Sequence, residues 1–369
     1  MAETLYTSNH VIDFMIEIEE RDIVVLQLTD TQIIDASQKR HADRLGSNLE
    51  AYWAKSKMEE RCFSSLRKTI KAVKPDLIII TGDLVYGEFD DAGTSLLALI
   101  EFIENFHIPW APVFGNHDGE SRKGADWQCE QLENAENCLF MQRTLTGNGN
   151  YTVGIRQGGT LKRVFFMLDS NGSGAMSAET YANGHSSAIC GFGKDQIDWY
   201  AQVASQIAEF APEAKLSFAF HVQLQSFADA YAKYGFTNSN TITAPINIDQ
   251  LENVTEGDFG YLGSDLKGAW DLEGSVWESL KRLGVDSVFV GHEHCNSASV
   301  VYDGIRCQYG QKSSTYDRVN YVQSDGTIVG SFTEAGDPMV GGTVIVLAKE
   351  DGSIKDAYHL LVQNDNRSR

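Results

Sequence analysis

Paired thiols, basic charge and long apolar runs are what this chain is short of, and each shortage removes a class of function. Its six cysteines (Cys62, Cys129, Cys138, Cys190, Cys295 and Cys307) are scattered over 369 residues with no Cys-x-x-Cys pair. That spacing argues against a structural zinc site and favours buried free thiols. Cys129 and Cys138 are near enough in sequence to close a small loop in an oxidising compartment. Lysine and arginine number 30 against 51 acidic residues, a formal charge of −21. Such a surface repels polyanionic backbones, so nucleic acid is not an expected partner and a nuclease would need a local patch that inverts the field. An anionic substrate would likewise need strong local positive charge, which bound metal ions supply. No apolar stretch is long enough to span a bilayer. The stretch Met1 to Tyr6 lacks a basic segment followed by an apolar run, so a cytoplasmic location is expected, or a secreted or periplasmic one if a leader has been removed.

What is present is ordinary for a globular protein: 42% hydrophobic and 22% charged residues. The length suits roughly two domains or one large α/β domain. With no repeat, low-complexity tract or linker, a single domain over residues 1–369 is the expectation.

Ile23 to Leu28 is short, β-branched and almost continuously apolar, as a strand buried on both faces should be. A helical pattern runs from Leu49 to Val73, where Pro75 ends it. The strand Leu77 to Ile80, a helix from Thr94 to Phe106 and the strand Trp110 to Val113 complete a β-α-β-α-β series, the pattern of a parallel sheet. Further strands are expected at Arg163–Leu168, Leu216–Phe220 and Ser287–Val290, with helices at Asp195–Phe210 and Val276–Leu283. Antiparallel strands are expected at Ala298–Tyr302, Ile305–Tyr309, Thr343–Ala348 and Lys355–Leu361. Periodicity fades near 119–150, 170–193 and 223–270, which read as lid insertions.

Five of the apolar strands end in side chains able to bind metal: Asp30 and Gln32, Asp83, Asn116 with His117, His221, and His292 with His294. Taken singly, a strand-end Asp is usually a turn residue and a lone His is usually a satisfied core histidine. Five coincidences in the same place are a different matter, because open α/β sheets put their ligands at the carboxyl edge. Carboxylate, amide and imidazole donors without thiolate suit Mn, Fe or Zn. Two ions about 3.5–4 Å apart would clamp a phosphate ester for in-line displacement.

The set Asp30-Thr31-Gln32, Gly82-Asp83, Gly115-Asn116-His117-Asp118, His221 and Gly291-His292-Glu293-His294 resembles the calcineurin-like metallophosphoesterase superfamily over roughly the first three hundred residues. Phe218-Ala-Phe-His221 and Gly291-His-Glu-His-Cys-Asn296 are similar to its purple-acid-phosphatase-related branch. The resemblance implies a four-layer α/β/β/α sandwich of two mixed sheets with a dinuclear metal site at the strand carboxyl edges. It implies that Asp30, Gln32 and His294 hold one ion and Asn116, His221 and His292 the other, with Asp83 bridging. It further implies attack by a metal-bridging hydroxide on a small-molecule phosphate ester or a phosphoprotein, His117 steadying phosphoryl oxygens and protonating the leaving group.

Two departures bear on this. The family usually has His where this chain has Gln32, a harder and weaker neutral donor, so looser occupancy or a shift toward Mn or Mg is expected there. It often has Asp or Asn at the position of Tyr86, where that residue orients the catalytic imidazole. Tyr86 is no carboxylate, so Asp118 or a loop residue must do that work, or His117 is less basic. The tyrosine that colours purple phosphatases is not evident. Competing expectations are a catalytically impaired binding scaffold and a phosphodiesterase acting on nucleotides, the latter suited by aromatic lids carrying Trp127, Tyr181, Phe227, Tyr231, Tyr234 and Phe236. Arg122 and Lys123 are either phosphate contacts or solvated surface charges.

Overall fold

A computed structural model of the chain describes residues 3–5, 11–35, 57–172, 191–235, 245–263, 275–313, 320–322, 328–330, 339–362 and 367–368. Eight strands form one mixed sheet, in the order β1 (Glu3–Leu5), β2 (Phe14–Glu17), β6 (Tyr151–Gln157), β7 (Thr160–Met167), β8 (Lys215–Ala219), β11 (Val285–Val290), β13 (Ile305–Tyr309) and β12 (Ser299–Tyr302). Six form a second, in the order β18 (Arg367–Ser368), β17 (Ile354–Leu361), β16 (Gly341–Leu347), β3 (Ile23–Leu28), β4 (Leu77–Thr81) and β5 (Trp110–Val113). A small four-stranded sheet runs β10 (Tyr261–Leu262), β9 (Ile246–Asn247), β14 (Asn320–Val322) and β15 (Ile328–Gly330).

Alternation along β7 shows how the layers stack. Phe165 and Met167 face a core shared with the other sheet, where Val25, Ile79, Ala219 and Phe289 also lie. Val164 and Phe166 face the opposite way, toward Tyr200, Val203 and Ile207 of helix α4 (Lys194–Phe210) and Leu280 of α6 (Ser275–Arg282). On the far side of the six-stranded sheet, α1 (Lys57–Val73) and α2 (Thr94–Glu104) contribute Leu66, Ile70, Leu99 and Ile103. The result is a helix–sheet–sheet–helix sandwich, in which each large apolar side chain contributes about 1.5–3 kcal/mol by leaving water.

The expected strands and helices fall where periodicity puts them, apart from their ends and residues 49–56, which lie outside the described region. One buried strand carried no clear apolar signal. β6 includes Thr152 and Gly154. Thr152 is satisfied by Asp13, its N and Oγ1 donating to Oδ2 at 2.9 and 3.0 Å. Gly154 leaves room for the Met15 sulfur of β2, which a Cβ would meet at 2.9 Å. The segment 119–150, too polar to show a period, contains helix α3 (Gly124–Glu133) and buries Cys129, Leu132, Leu139 and Phe140 in the core. In 223–270, helix α5 (Gln225–Ala232) buries Phe227 and Tyr231 completely, so neither aromatic is available to a substrate. Residues 173–190, including Tyr181 and Cys190, lie outside the described residues, as does Phe236. The five described cysteines are free thiols, and all but Cys295 are buried.

Candidate metal centre

The neighbouring parallel strands β3, β4 and β5 bring the first half of the site together. Past their ends the chain turns through left-handed backbone at Asp30 (φ 51), Gln32 (φ 40) and Asp83 (φ 52). The turns are locked to one another, Asp30 N donating to Gly82 O at 3.1 Å and Gln32 N to Asp83 O at 2.8 Å. Such backbone is costly outside glycine and persists only where its surroundings over-determine it. Asp83 Oδ1 accepts from the His117 backbone N at 2.9 Å, and Oδ2 from Gln32 Nε2 at 3.0 Å. Gly115 permits this approach, since a Cβ there would lie 2.2 Å from Asp83 Oδ1.

β8 and β11, parallel neighbours in the other sheet, supply the second half. His221 Nδ1 donates to Thr81 O at 2.8 Å, which turns Nε2 toward Asn116 Oδ1 (3.0 Å) and Asp83 Oδ2 (3.4 Å). His292 Nδ1 lies 2.8 Å from the same Asn116 oxygen, and His294 Nε2 lies 3.1 Å from Asp30 Oδ1 and 3.2 Å from Gln32 Nε2. All seven side chains expected as metal donors (Asp30, Gln32, Asp83, Asn116, His221, His292 and His294) therefore meet in one cleft between the carboxyl edges of two sheets.

The donor set fits a cation. One ligand atom each from Asp30, Asp83 and His221 lies within 4.8 Å of the others. Both carboxylates are 1% exposed, and among the described residues their only cationic side-chain partners are imidazoles. A buried charge so weakly compensated is expensive, and a cation relieves that cost. The local field has the same sign. Burial pushes the His221 imidazolium down, but Asp83 and Asp30 outweigh it and lift it to about 9. The Asp83 carboxyl, pushed up by burial, is held below the usual carboxylate range by His221 and His117. Desolvation in the cleft and the neighbouring His221 push His292 down to about 4.

His117 stands apart from this cluster. Its Nδ1 is 2.8 Å from Glu120 Oε2, and its ring stacks on Tyr86 with centroids 4.2 Å apart and planes 21° apart. Asp118 does not orient it. That carboxyl is wholly buried, and its oxygens accept from the backbone N of Gly115 at 2.6 Å and of Val85 at 3.0 Å. Glu120 was therefore missed by sequence reasoning; its signal is a carboxylate three residues beyond the histidine on a tight turn. Arg122 pairs with Asp91 at 3.5 Å, and Lys123 lies over the Trp127 ring at 4.9 Å, so both cations have protein partners. Trp127 itself packs on Gly93, whose absent Cβ would lie 2.2 Å from the indole.

A site of this kind, on this sandwich, is that of a metallophosphoesterase. Residues 23–212, more than half of the chain, match the calcineurin-like phosphoesterase family model, and the chain belongs to that family. It is similar to phosphatase DCR2 of Saccharomyces cerevisiae, 23% identical over 76% of this chain and 45% of that protein. It is also similar to a probable inactive purple acid phosphatase 14 of Arabidopsis thaliana, 25% identical over 67% of this chain and 60% of that one. The chain thus spans about half the length of these relatives. A dimetal phosphatase from Danio rerio aligns over 92% of this chain and 99% of its own, at 10% identity and a TM-score of 0.48.

Proposed function

We propose that the chain hydrolyses phosphate esters with two bound metal ions, Mn, Fe or Zn. Asp30, Gln32 and His294 would hold one ion, Asn116, His221 and His292 the other, and Asp83 would be shared. When bound, such ions supply positive charge that attracts a phosphate and acidifies a water nucleophile. His117, a side chain 22% exposed at the edge of the cluster, is the donor available to phosphoryl oxygens and to the leaving group. The observation that carries the reading is the convergence of the seven donors on buried Asp30 and Asp83, with no Lys or Arg paired to either carboxylate among the described residues.

Elemental analysis of protein purified without chelator, with turnover of p-nitrophenyl phosphate and bis(p-nitrophenyl) phosphate in added Mn, tests it. Two ions per chain and turnover of either ester are expected, and their ratio separates a monoesterase from a diesterase acting on nucleotides. Neither metal nor turnover would overturn the proposal. Bound metal with no turnover would favour the second reading, a binding scaffold, which Gln32 and the similarity to a probable inactive purple acid phosphatase of Arabidopsis thaliana support.

A further inference from the structure

We propose that Glu120, reaching back across the turn that follows the Gly115–Asp118 motif, orients the His117 ring for protonation of the leaving oxygen and so widens the range of leaving groups this chain can expel. The inference rests on the phosphoesterase reading above. The ring is held by two constraints. Glu120 Oε2 lies 2.8 Å from Nδ1, and Tyr86 packs against one face at 4.2 Å between centroids. The in-plane hydrogen bond selects the ring flip, and the stack limits the tilt. A carboxylate that accepts from Nδ1–H leaves Nε2 as the nitrogen able to serve substrate.

Among the described residues no other carboxylate takes this place. Asp118 spends both oxygens on backbone N–H groups, and Asp83 meets the His117 backbone rather than its Nδ1. The turn itself delivers Glu120, its N donating to His117 O at 3.2 Å. Tyr86, standing where the resemblance led one to expect a carboxylate or amide, thus supports the ring by packing while a residue three positions downstream takes the hydrogen bond.

In the reaction, a water oxygen bonds to phosphorus, and the ester P–O bond breaks with its electron pair on the leaving oxygen. That oxygen takes the Nε2 proton of the His117 imidazolium, leaving the neutral ring with its Nδ1–H on Glu120, and a proton released by the water returns to Nε2 over the turnover. An activated nitrophenolate departs without this proton, whereas an unactivated phenolate needs it.

The test uses phenyl phosphate and 2,4-dinitrophenyl phosphate, esters of similar shape and different leaving ability, with the metal-loaded enzyme. Glu120→Ala should lower kcat on phenyl phosphate by about ten- to a hundredfold, a share of the 10²- to 10⁴-fold that general acid catalysis contributes. KM should stay, and turnover of the dinitrophenyl ester should change little. Glu120→Gln keeps an acceptor oxygen and should recover most of the loss. In a His117→Ala background, Glu120→Ala should add nothing. Equal losses on both esters, or additive losses in the double variant, would overturn the proposal. A readout without turnover is the imidazole ¹⁵N spectrum, with His117 assigned by comparison with His117→Ala. A hydrogen-bonded Nδ1–H is expected, lost in Glu120→Ala and kept in Glu120→Gln; an Nδ1 signal unchanged in Glu120→Ala would sink the inference even in a protein that cleaves neither ester. Absence of turnover in the unaltered enzyme would count against the phosphoesterase reading instead.

Discussion

The two sheets bring opposite things to the cleft. The six-stranded sheet offers carboxylates and amides on left-handed turns that bond to one another, and its Asp30 and Asp83 are sealed from solvent. The eight-stranded sheet offers imidazoles, and two of them are partly open, the His292 side chain at 27% and His294 at 18% exposure. One half therefore holds the negative charge where water cannot screen it. The other brings imidazoles, which under the proposed function would complete the coordination on a side that a substrate can approach. The halves are fitted without a spacer: a Cβ on Gly291 would lie 1.9 Å from Thr29 Oγ1 and 2.8 Å from Asp30 Oδ2.

The most damaging way to break this division is to remove charge from the buried half. Asp83→Asn should lose most of its bound metal and at least about a hundredfold of its activity, measured by elemental analysis and by p-nitrophenyl phosphate turnover. Full metal content and rate in that variant would contradict the assignment. Next, Gly291→Ala inserts a methyl between the sheets. Overpacking of this kind costs about 1–3 kcal/mol, and pushing His292 from Asp30 should also weaken metal retention. A melting temperature unchanged from the parent would show that the junction yields freely.

Acid should attack the junction between strand β17 of the six-stranded sheet and the segment that follows His294. His359 is fully buried, its Nε2 2.7 Å from Ser297 O, just beyond His294, and its Nδ1 3.0 Å from Thr343 Oγ1. Burial pushes it down to about 4, the Ser297 bond opposing. A base whose folded pKa lies below its unfolded value of about 6.5 stabilises the fold fully above that pH. The contribution fades as pH falls toward 4, by about 3 kcal/mol, because only the unfolded chain takes the proton readily. Urea unfolding between pH 7 and 4 should show this slope in the parent and a shallower one in His359→Gln. The smallest expected effect sharpens the comparison rather than breaking it. Gln32→His exchanges a weak amide donor for imidazole on the buried side and should slow zinc loss to a chelator several-fold.

Much of this was legible in the chain. Parallel strands covered on both faces read as largely apolar runs, so the metal-capable residues that follow the last apolar position of each are easy to see, as after Leu28, Ile80 and Val290. β6 was invisible because Asp13, distant in sequence, satisfies its buried Thr152, and α3 because most of its side chains stay polar. At the site, the residue types were apparent while their contacts were not. Asp118 looked free to orient His117 until its two backbone bonds were seen, and the loop residue that meets the ring, Glu120, could not be singled out.

The order of residues by itself determined where strands end and which donors stand at those ends, since both follow from local burial and side-chain chemistry. Only the tertiary structure decided which sheet carries charge and which carries imidazole, which nitrogen each ring presents, and which carboxylate steadies His117. Those choices depend on contacts such as His221 to Thr81 and His294 to Asp30, between groups 140 and 264 residues apart. No local propensity encodes them, because the backbone must first bring the partners within reach.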